Sequence, residues 1–460
     1  MTNFSTQSLS GWGRYPVERC HLFRPEKCSD IAATLAFGSQ SSYISRGLGR
    51  SYGDAALNAD AGVIWHIRLN RFLAFDETTG VLECESGVSL AEIVHYFLPR
   101  GWFLGVTPGT KYVSIGGAIA ADIHGKNHHR DGSFSNFVVD FRLLTPTGEI
   151  LVCSPLQNAD VFWATVGGMG LTGVILTARV RLRRTDSAYV FVDYYRASDL
   201  EDALATMEES DEQYDYSVAW IDALATGKFM GRSVLMRGNH APAAELPTRL
   251  RKRLRATDRS TLPRGPKWKL PFDFPSVTLN PLTVRLFNAA YYAVHRTAPH
   301  QLVDLEKFFY PLDAIDQWNR MYGKRGFVQY QIALPPAAGR DGLRIVLDRL
   351  SRSGRGSFLA VLKRFGDPGS GLLSFPLRGY TLALDIPFAR GLVPFLHELD
   401  RITLDHGGRI YLAKDSVVRA EDFAAMYPNL DAFRAIQRKL DPQRLFSSSM
   451  ARRLKIVEKQ

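Results

Sequence analysis

An α+β fold in two domains is predicted by three features of this sequence. Its 460 residues exceed what one compact domain usually holds. Up to about Arg184, short strand-like and helix-like segments alternate, and glycine-rich loops stand at the strand ends. Beyond that point the strands alternate cleanly and the glycine loops disappear. The first domain is therefore placed at residues 1–187. A substrate domain with an antiparallel sheet and flanking helices is placed at 188–408, and a C-terminal segment at 409–460 resembles the first domain again in its glycine turn.

In chain order, "HLFRP" is extended, "SDIAATLAF" is an amphipathic helix with Ser29 as its expected N-cap, and "SSYISRGLGRSYGD" is a strand running into a glycine loop. The pattern then repeats. "GVLECESGV" is a strand, "SLAEIVHYFL" a helix capped by Ser89, and "GWFLGVTPGT" a strand leading into a second loop, "TPGTKYVSIGGAIAADIHGKNHH". "VVDFRLLTPTGEILVCSP" reads as a hairpin turning at Thr147 and Gly148, and "FWATVGGMGLTG" supplies a third loop before a long strand. In the second domain "YSVAWIDAL", "GFVQYQIALP", "GSFLAVLKRFG" and "GYTLALDIPF" are the strand candidates. Between them, residues 248–275 carry nine basic residues against one acidic residue before Asp273, and the prolines there predict a mobile segment.

A hydrophobic fraction of 45% allows a sizeable core, and a formal net charge of +11 favours an anionic partner. Charge alone does not choose between nucleic acid, a phospholipid surface and a phosphorylated ligand. No nucleic-acid-binding module is recognisable, so nucleic acid is not expected. Cys20, Cys28, Cys84 and Cys153 form no C-x-x-C pair and no zinc spacing, which predicts reduced thiols and no metal. The N-terminus lacks the pattern of a signal peptide, and no apolar run approaches a spanning helix. Peripheral membrane contact from the cytoplasmic side is the expectation, with the periplasmic face left open.

"RGLGRSYG" suits a diphosphate held by peptide N–H groups, because glycines let a ligand approach the backbone. A tight turn with solvated arginines would be the default for such a loop alone. Two further close-approach loops in the same domain shift the balance. Together, "RGLGRSYG", "PGTKYVSIGGAIAADIHGKNHH" and "FWATVGGMGLTG" resemble the PCMH-type FAD-binding domain of the vanillyl-alcohol oxidase family. That resemblance implies FAD held by Ser45, Arg46, Gly47, Leu48, Gly49, Arg50, Ser51, Tyr52, Gly53 and Asp54 of the first loop. From the second loop it implies Gly109, Ser114, Ile115, Gly116, Gly117, Ala121, Asp122, Ile123 and His124, with Ile175 and Tyr411 beyond. Covalent members commonly have histidine after the second loop glycine. Arg50 stands there, so the FAD is expected to be non-covalent.

"HGKNHH", "FVQYQ", "FLAVLKRFG", "YLAKDS" and "MARRL" resemble, more narrowly, the branch that oxidises polyprenylphosphoryl-ribose lipids. The likeness implies oxidation of a ribose 2-hydroxyl to a ketone, completed to an epimerisation by a separate NAD(P)H-dependent short-chain reductase during arabinan and cell-wall synthesis. It makes Lys414 and His124 the candidate catalytic residues, Lys414 as proton acceptor or electrostatic stabiliser and His124 in a flavin-positioning role. Tyr52, Lys126, Gln329, Gln331, Lys363 and Lys414 are the implied substrate neighbours. Gln329 and Gln331 alternate with Tyr330, so both amides share one strand face, where they can meet sugar hydroxyls. Thr381 and Ala383 replace an asparagine and a cysteine, and Met169 a polar residue, of the branch pattern. Two other readings stay open at this stage: oxidation of a soluble alditol or aldonolactone, and a basic membrane- or nucleic-acid-binding protein with a vestigial flavin domain.

Overall fold

A computed structural model describes residues 4–250, 268–275, 278–356 and 358–457. Most of the basic segment 248–275 therefore lies outside the described residues. Four strands, Ser5–Ser10, Val17–Phe23, Gly62–Trp65 and Tyr43–Arg46, form a first sheet in that spatial order. The last three run parallel, and the helix Cys28–Phe37 joins two of them. Ser29 lies inside that helix and does not cap it. The start is held instead by the Asp30 carboxylate, which accepts from the Glu26 and Lys27 amides at 3.0 and 2.9 Å. Ser89 does cap its helix, Leu90–Phe97. Its hydroxyl accepts from the Glu92 amide, and the Glu92 carboxylate accepts from the Ser89 amide in return.

A second, antiparallel sheet is centred on the long strand Val174–Arg184. Val138–Leu144 and Ile150–Cys153 enter it as the expected hairpin, with Gly148 at φ 87°. All four cysteines are free thiols.

The third sheet has eight antiparallel strands in the order Ala298–Asp304, Tyr189–Ala197, Ser233–His240, Tyr216–Ile221, Ala360–Phe365, Gly379–Pro387, Phe327–Leu334, Arg409–Ile410. Helices Pro336–Ser353 and Leu392–Asp405 pack on its Phe327–Leu334 and Gly379–Pro387 strands. The edge pair Arg409–Ile410 belongs to this sheet, so the chain's return to the first sheet begins after Ile410 rather than at Arg409. There the Tyr43 amide donates to the Leu445 carbonyl, and the Ser447 amide to the Tyr43 carbonyl. Among the described residues no helix is long and apolar enough to cross a membrane.

Candidate active site

The three glycine loops converge. Gly47 lies so close to Ser114 that a Cβ on it would come 2.1 Å from the serine Oγ, which joins the first loop to the second. The Gly167 and Met169 amides of the third loop donate to the Ile119 and Ala120 carbonyls in the helix Ile115–Ala120 of the second. At its far end the first loop meets the "YLAKDS" turn. The Tyr52 amide donates to the Ala413 carbonyl at 2.9 Å, and a Cβ on Gly53 would meet the Asp415 carbonyl oxygen at 2.0 Å. The first loop thus touches both the second loop and Lys414.

Among the described residues, the amides of Gly47, Leu48, Gly49, Arg50 and Ser51 donate no hydrogen bond within the protein. Five unspent donors in a row form a site for an anion. Arg50 lies beside them with its guanidinium 3.8 Å from the Trp12 ring centre, and its buried Nε has no partner among the described residues. Leu48 and Tyr112 line a cavity of about 380 Å³ against Gly87, Ser89 and Glu92. Ser45 is fixed by His66, whose imidazole burial pushes down to about 4.

The second loop behaves differently. The Ile115 and Gly116 amides are spent on the Val88 and Ser86 carbonyls, and the Gly117 amide on its N-cap Ser114. Gly109 faces open space. Ile123 and Ile175 are buried apolar contacts, and the Ala121 carbonyl accepts from the Tyr411 hydroxyl at 2.9 Å.

Three expected cofactor residues also bond within the protein through their side chains. Arg46 donates to the Ser10 and Ala56 carbonyls and supports the loop from beneath. Asp54 pairs with Arg453 in the C-terminal tail, at 2.7 and 2.9 Å. Asp122, held at φ 38°, accepts from Ser374 Oγ and the Ser135 amide, which pins the second loop to a distant segment. In each case a buried charge is compensated within the chain, as burial demands. Lys126, an expected substrate neighbour, likewise bonds within the chain. Its ammonium donates to the Phe308 and Phe309 carbonyls.

The remaining residues meet on one face of the large sheet. Strand register sets Gln329 against Asp385, Gln331 against Ala383, and Lys363 against Thr381, so these side chains share a side. Gln331 Nε2 lies 3.1 Å from His124 Nε2 and 3.2 Å from Thr381 Oγ1. Lys363 Nζ lies 3.1 Å from His124 Nδ1. His124 is thereby clamped at both ring nitrogens, with the Phe365 ring edge-on at 4.7 Å. Burial, reinforced by Lys363, holds its imidazole well below the usual range, so it is neutral. Burial also lowers Lys363 and Lys126 to about 7. Tyr411 stacks on Phe375 and donates its hydroxyl to the Ala121 carbonyl of the second loop.

Lys414 lies 3.9 Å from the Tyr52 ring centre. It is no surface partner of Asp415, which pairs with Arg453 at 2.9 Å and accepts from the Val417 and Val418 amides. Burial drives its ammonium down toward neutrality, and the Asp385 carboxylate opposes that fall. Asp385 is itself driven up by burial while it accepts from Gln329 Nε2 at 2.5 Å and the Tyr322 hydroxyl at 3.3 Å. Sequence reasoning missed Asp385. The available signal was its alternation with Leu382 and Leu384, which puts it on the same side as Thr381 and Ala383.

Comparison with known proteins agrees with this geometry. An FAD binding domain model matches residues 21–154, and a D-arabinono-1,4-lactone oxidase model matches 383–454, the stretch holding Asp385, Tyr411, Lys414 and Arg453. Decaprenylphosphoryl-β-D-ribose oxidase of Mycolicibacterium smegmatis is 40% identical over 98% of both chains. The chain belongs to the decaprenylphosphoryl-β-D-ribose oxidase family. It is an FAD-dependent oxidoreductase acting on CH–OH groups. A more distant relative, L-gulono-1,4-lactone dehydrogenase of Mycobacterium tuberculosis, is 24% identical over 96% of this chain and 98% of its own. The residues present fit the cofactor of this family: the unspent amides of Gly47–Ser51 suit its diphosphate, and the partnerless Arg50 Nε beside them suits an electron-rich group.

Proposed function

We propose that this enzyme oxidises the 2-hydroxyl of a polyprenylphosphoryl-β-D-ribose to the 2-keto sugar with non-covalently held FAD. The observation that carries this reading is the shared face of Gln329, Gln331, Lys363 and Asp385, closed by Lys414 and Tyr52. Two amides and a carboxylate on one side suit several adjacent hydroxyls, and the lysines suit an anionic group. The full-length likeness to an oxidase of decaprenylphosphoryl ribose supports this substrate class over a free sugar.

FAD, when bound, supplies the acceptor for the carbinol hydrogen and its electron pair. Lys414, deprived of solvation, takes the hydroxyl proton as its neutral amine, so the alcohol gives a ketone, one proton and one hydride equivalent. Asp385 and Gln329 orient the sugar beside that amine. His124, neutral and clamped, holds the second loop in place. A separate NAD(P)H-dependent short-chain reductase then returns the ketone to an alcohol of opposite configuration, which completes an epimerisation.

The test is anaerobic titration of the flavin absorbance with a short-chain polyprenylphosphoryl ribose in detergent, against free alditols and L-gulono-1,4-lactone. Bleaching by the phospholipid sugar alone is the expected result. Bleaching by the free compounds at similar concentration would replace the substrate class, and no bleaching by either would overturn the reading.

A further inference from the structure

The helix Pro281–Val294 is built inside out. Its inward residues are Val284 and the polar Asn288, whose Nδ2 donates to Asp222 Oδ1 at 2.7 Å. Its outward residues are apolar: Leu282 is 67% exposed, Leu286 62% and Val294 77%, with Phe287 at 45%. Leu282, Leu286, Ala289 and Ala293 recur at three- and four-residue spacing and share one exposed stripe. A helix facing only water would carry the opposite pattern. Trp268 is a further exposed apolar side chain, at 74%.

Two further observations define what covers this surface. The first is charge. No carboxylate occurs in the sequence from Phe274 to Val303, whereas Arg285 and Arg296 flank the stripe and Lys269 follows Trp268. Asp273, at the edge, is neutralised by Arg14 and Arg320. The second is continuity with the active site. Phe287 contacts Phe358 with ring centres 5.5 Å apart, Phe358 lies 5.8 Å from Tyr322, Tyr322 stacks on Phe327 at 4.0 Å, and Phe327 meets Tyr52 at 5.5 Å. Tyr52 is the ring under Lys414. Trp268 also pairs with Ile315, which packs against this same aromatic cluster.

We propose that the outward face of Pro281–Val294, with Trp268, is a docking surface for an anionic lipid bilayer. It rests on the lipid-substrate reading above and adds where that lipid comes from. Leucine and tryptophan side chains enter the headgroup boundary, and Arg285 and Arg296, on a stretch without carboxylates, meet lipid phosphates. The chain of ring contacts places the docking face and the sugar site on one connected aromatic cluster.

The experiment is co-sedimentation of the FAD-loaded full chain with sucrose-filled vesicles of phosphatidylcholine containing about one third phosphatidylglycerol, and with pure phosphatidylcholine. The wild type should bind the anionic vesicles, and added salt should weaken binding. Leu282→Asp combined with Leu286→Asp should lower the bound fraction at least ~10-fold while leaving the flavin spectrum and melting curve unchanged, since both positions are exposed. Leu156→Asp, which alters another exposed leucine, should bind as wild type. Wild-type binding by the double variant overturns the proposal, as does absence of wild-type binding. A wild-type dimer in light scattering that the double variant turns into a monomer would assign the face to a second copy of the chain. Flavin bleaching in detergent keeps the two readings apart: bleaching without vesicle binding sinks the docking surface alone, and vesicle binding without bleaching sinks the substrate alone.

Discussion

Gln329 Nε2 donates to Asp385 Oδ1 across 2.5 Å, between directly paired residues of neighbouring strands. This bond fixes which end of the glutamine amide is left for a ligand, and the carboxylate supplies the negative charge that opposes deprotonation of Lys414. Asp385→Asn keeps the shape and removes the charge. The Lys414 ammonium then loses its opposite charge, so its proton leaves at lower pH. The ascending limb of kcat/KM against pH should move to lower pH, and kcat should fall about 10-fold or more as the amide loses its orientation. An unmoved limb would show that Asp385 is electrostatically silent.

Lys414→Met should abolish the chemical step while leaving the bound flavin visible. Loss of a positioned proton acceptor costs on the order of 10²–10⁴-fold. Because burial lowers the lysine toward neutrality, wild-type kcat/KM should rise with pH across the neutral range and then level off. A rate that falls across the same range would mean that the charged ammonium is the active form, acting on a developing alkoxide.

The long, locally patterned elements were legible in the sequence, and so were the glycine loops. Ser89 announces its helix because both halves of its capping box are local. Asp30 escaped notice because its carboxylate caps residues outside the helix that holds it, an arrangement Ser29 seemed to provide. Gln329 and Gln331 were readable as one face from spacing alone, but their partners were not. Asp385, Thr381 and His124 reach them from 50 to 207 residues away, and strand register alone decides the pairing. The same holds for the internal partners of the charged loop residues. Arg46, Asp54 and Asp122 have the polarity of ligand contacts, and only tertiary structure shows that protein groups already satisfy them.

Arg50 stands in the first loop against Trp12 and Tyr112, where an imidazole would be needed for covalent attachment. Acid precipitation should therefore leave a colourless pellet and a yellow supernatant containing intact FAD. A yellow pellet that resists washing would show a covalent bond from another residue.

Arg453 holds Asp54 of the first loop and Asp415 beside Lys414 with one guanidinium. Both carboxylates are buried. Arg453→Met would leave two buried carboxylates without their shared cation, at a cost of about 3–5 kcal/mol. A fall in melting temperature, with flavin released earlier in the melt than in wild type, is the expected outcome. Equal melting of the two proteins would mean that the tail is held by its other bonds, those to Tyr43, Leu57, Asn58 and Glu18.

Asp400 offers a stability test outside the reaction. It lies on the inner face of the helix Leu392–Asp405, 1% exposed, with no cation bonded to it among the described residues and the Tyr330 hydroxyl as the group that eases its charge. Burial, then the like charge of Asp415, raises it from 3.8 to about 8. A carboxyl raised in the folded state is more readily ionised in the unfolded chain. Its penalty is absent below 3.8, grows as pH rises, and is complete above about 8. Asp400→Asn removes the ionisable group at nearly constant volume and should stabilise the protein by about 1–3 kcal/mol at slightly alkaline pH. The gain should shrink as pH falls toward 4, which thermal melts of both proteins across that range would read directly. A gain independent of pH would mean that the carboxyl is already neutralised in the fold by a group such as Arg419, whose charge opposes the rise.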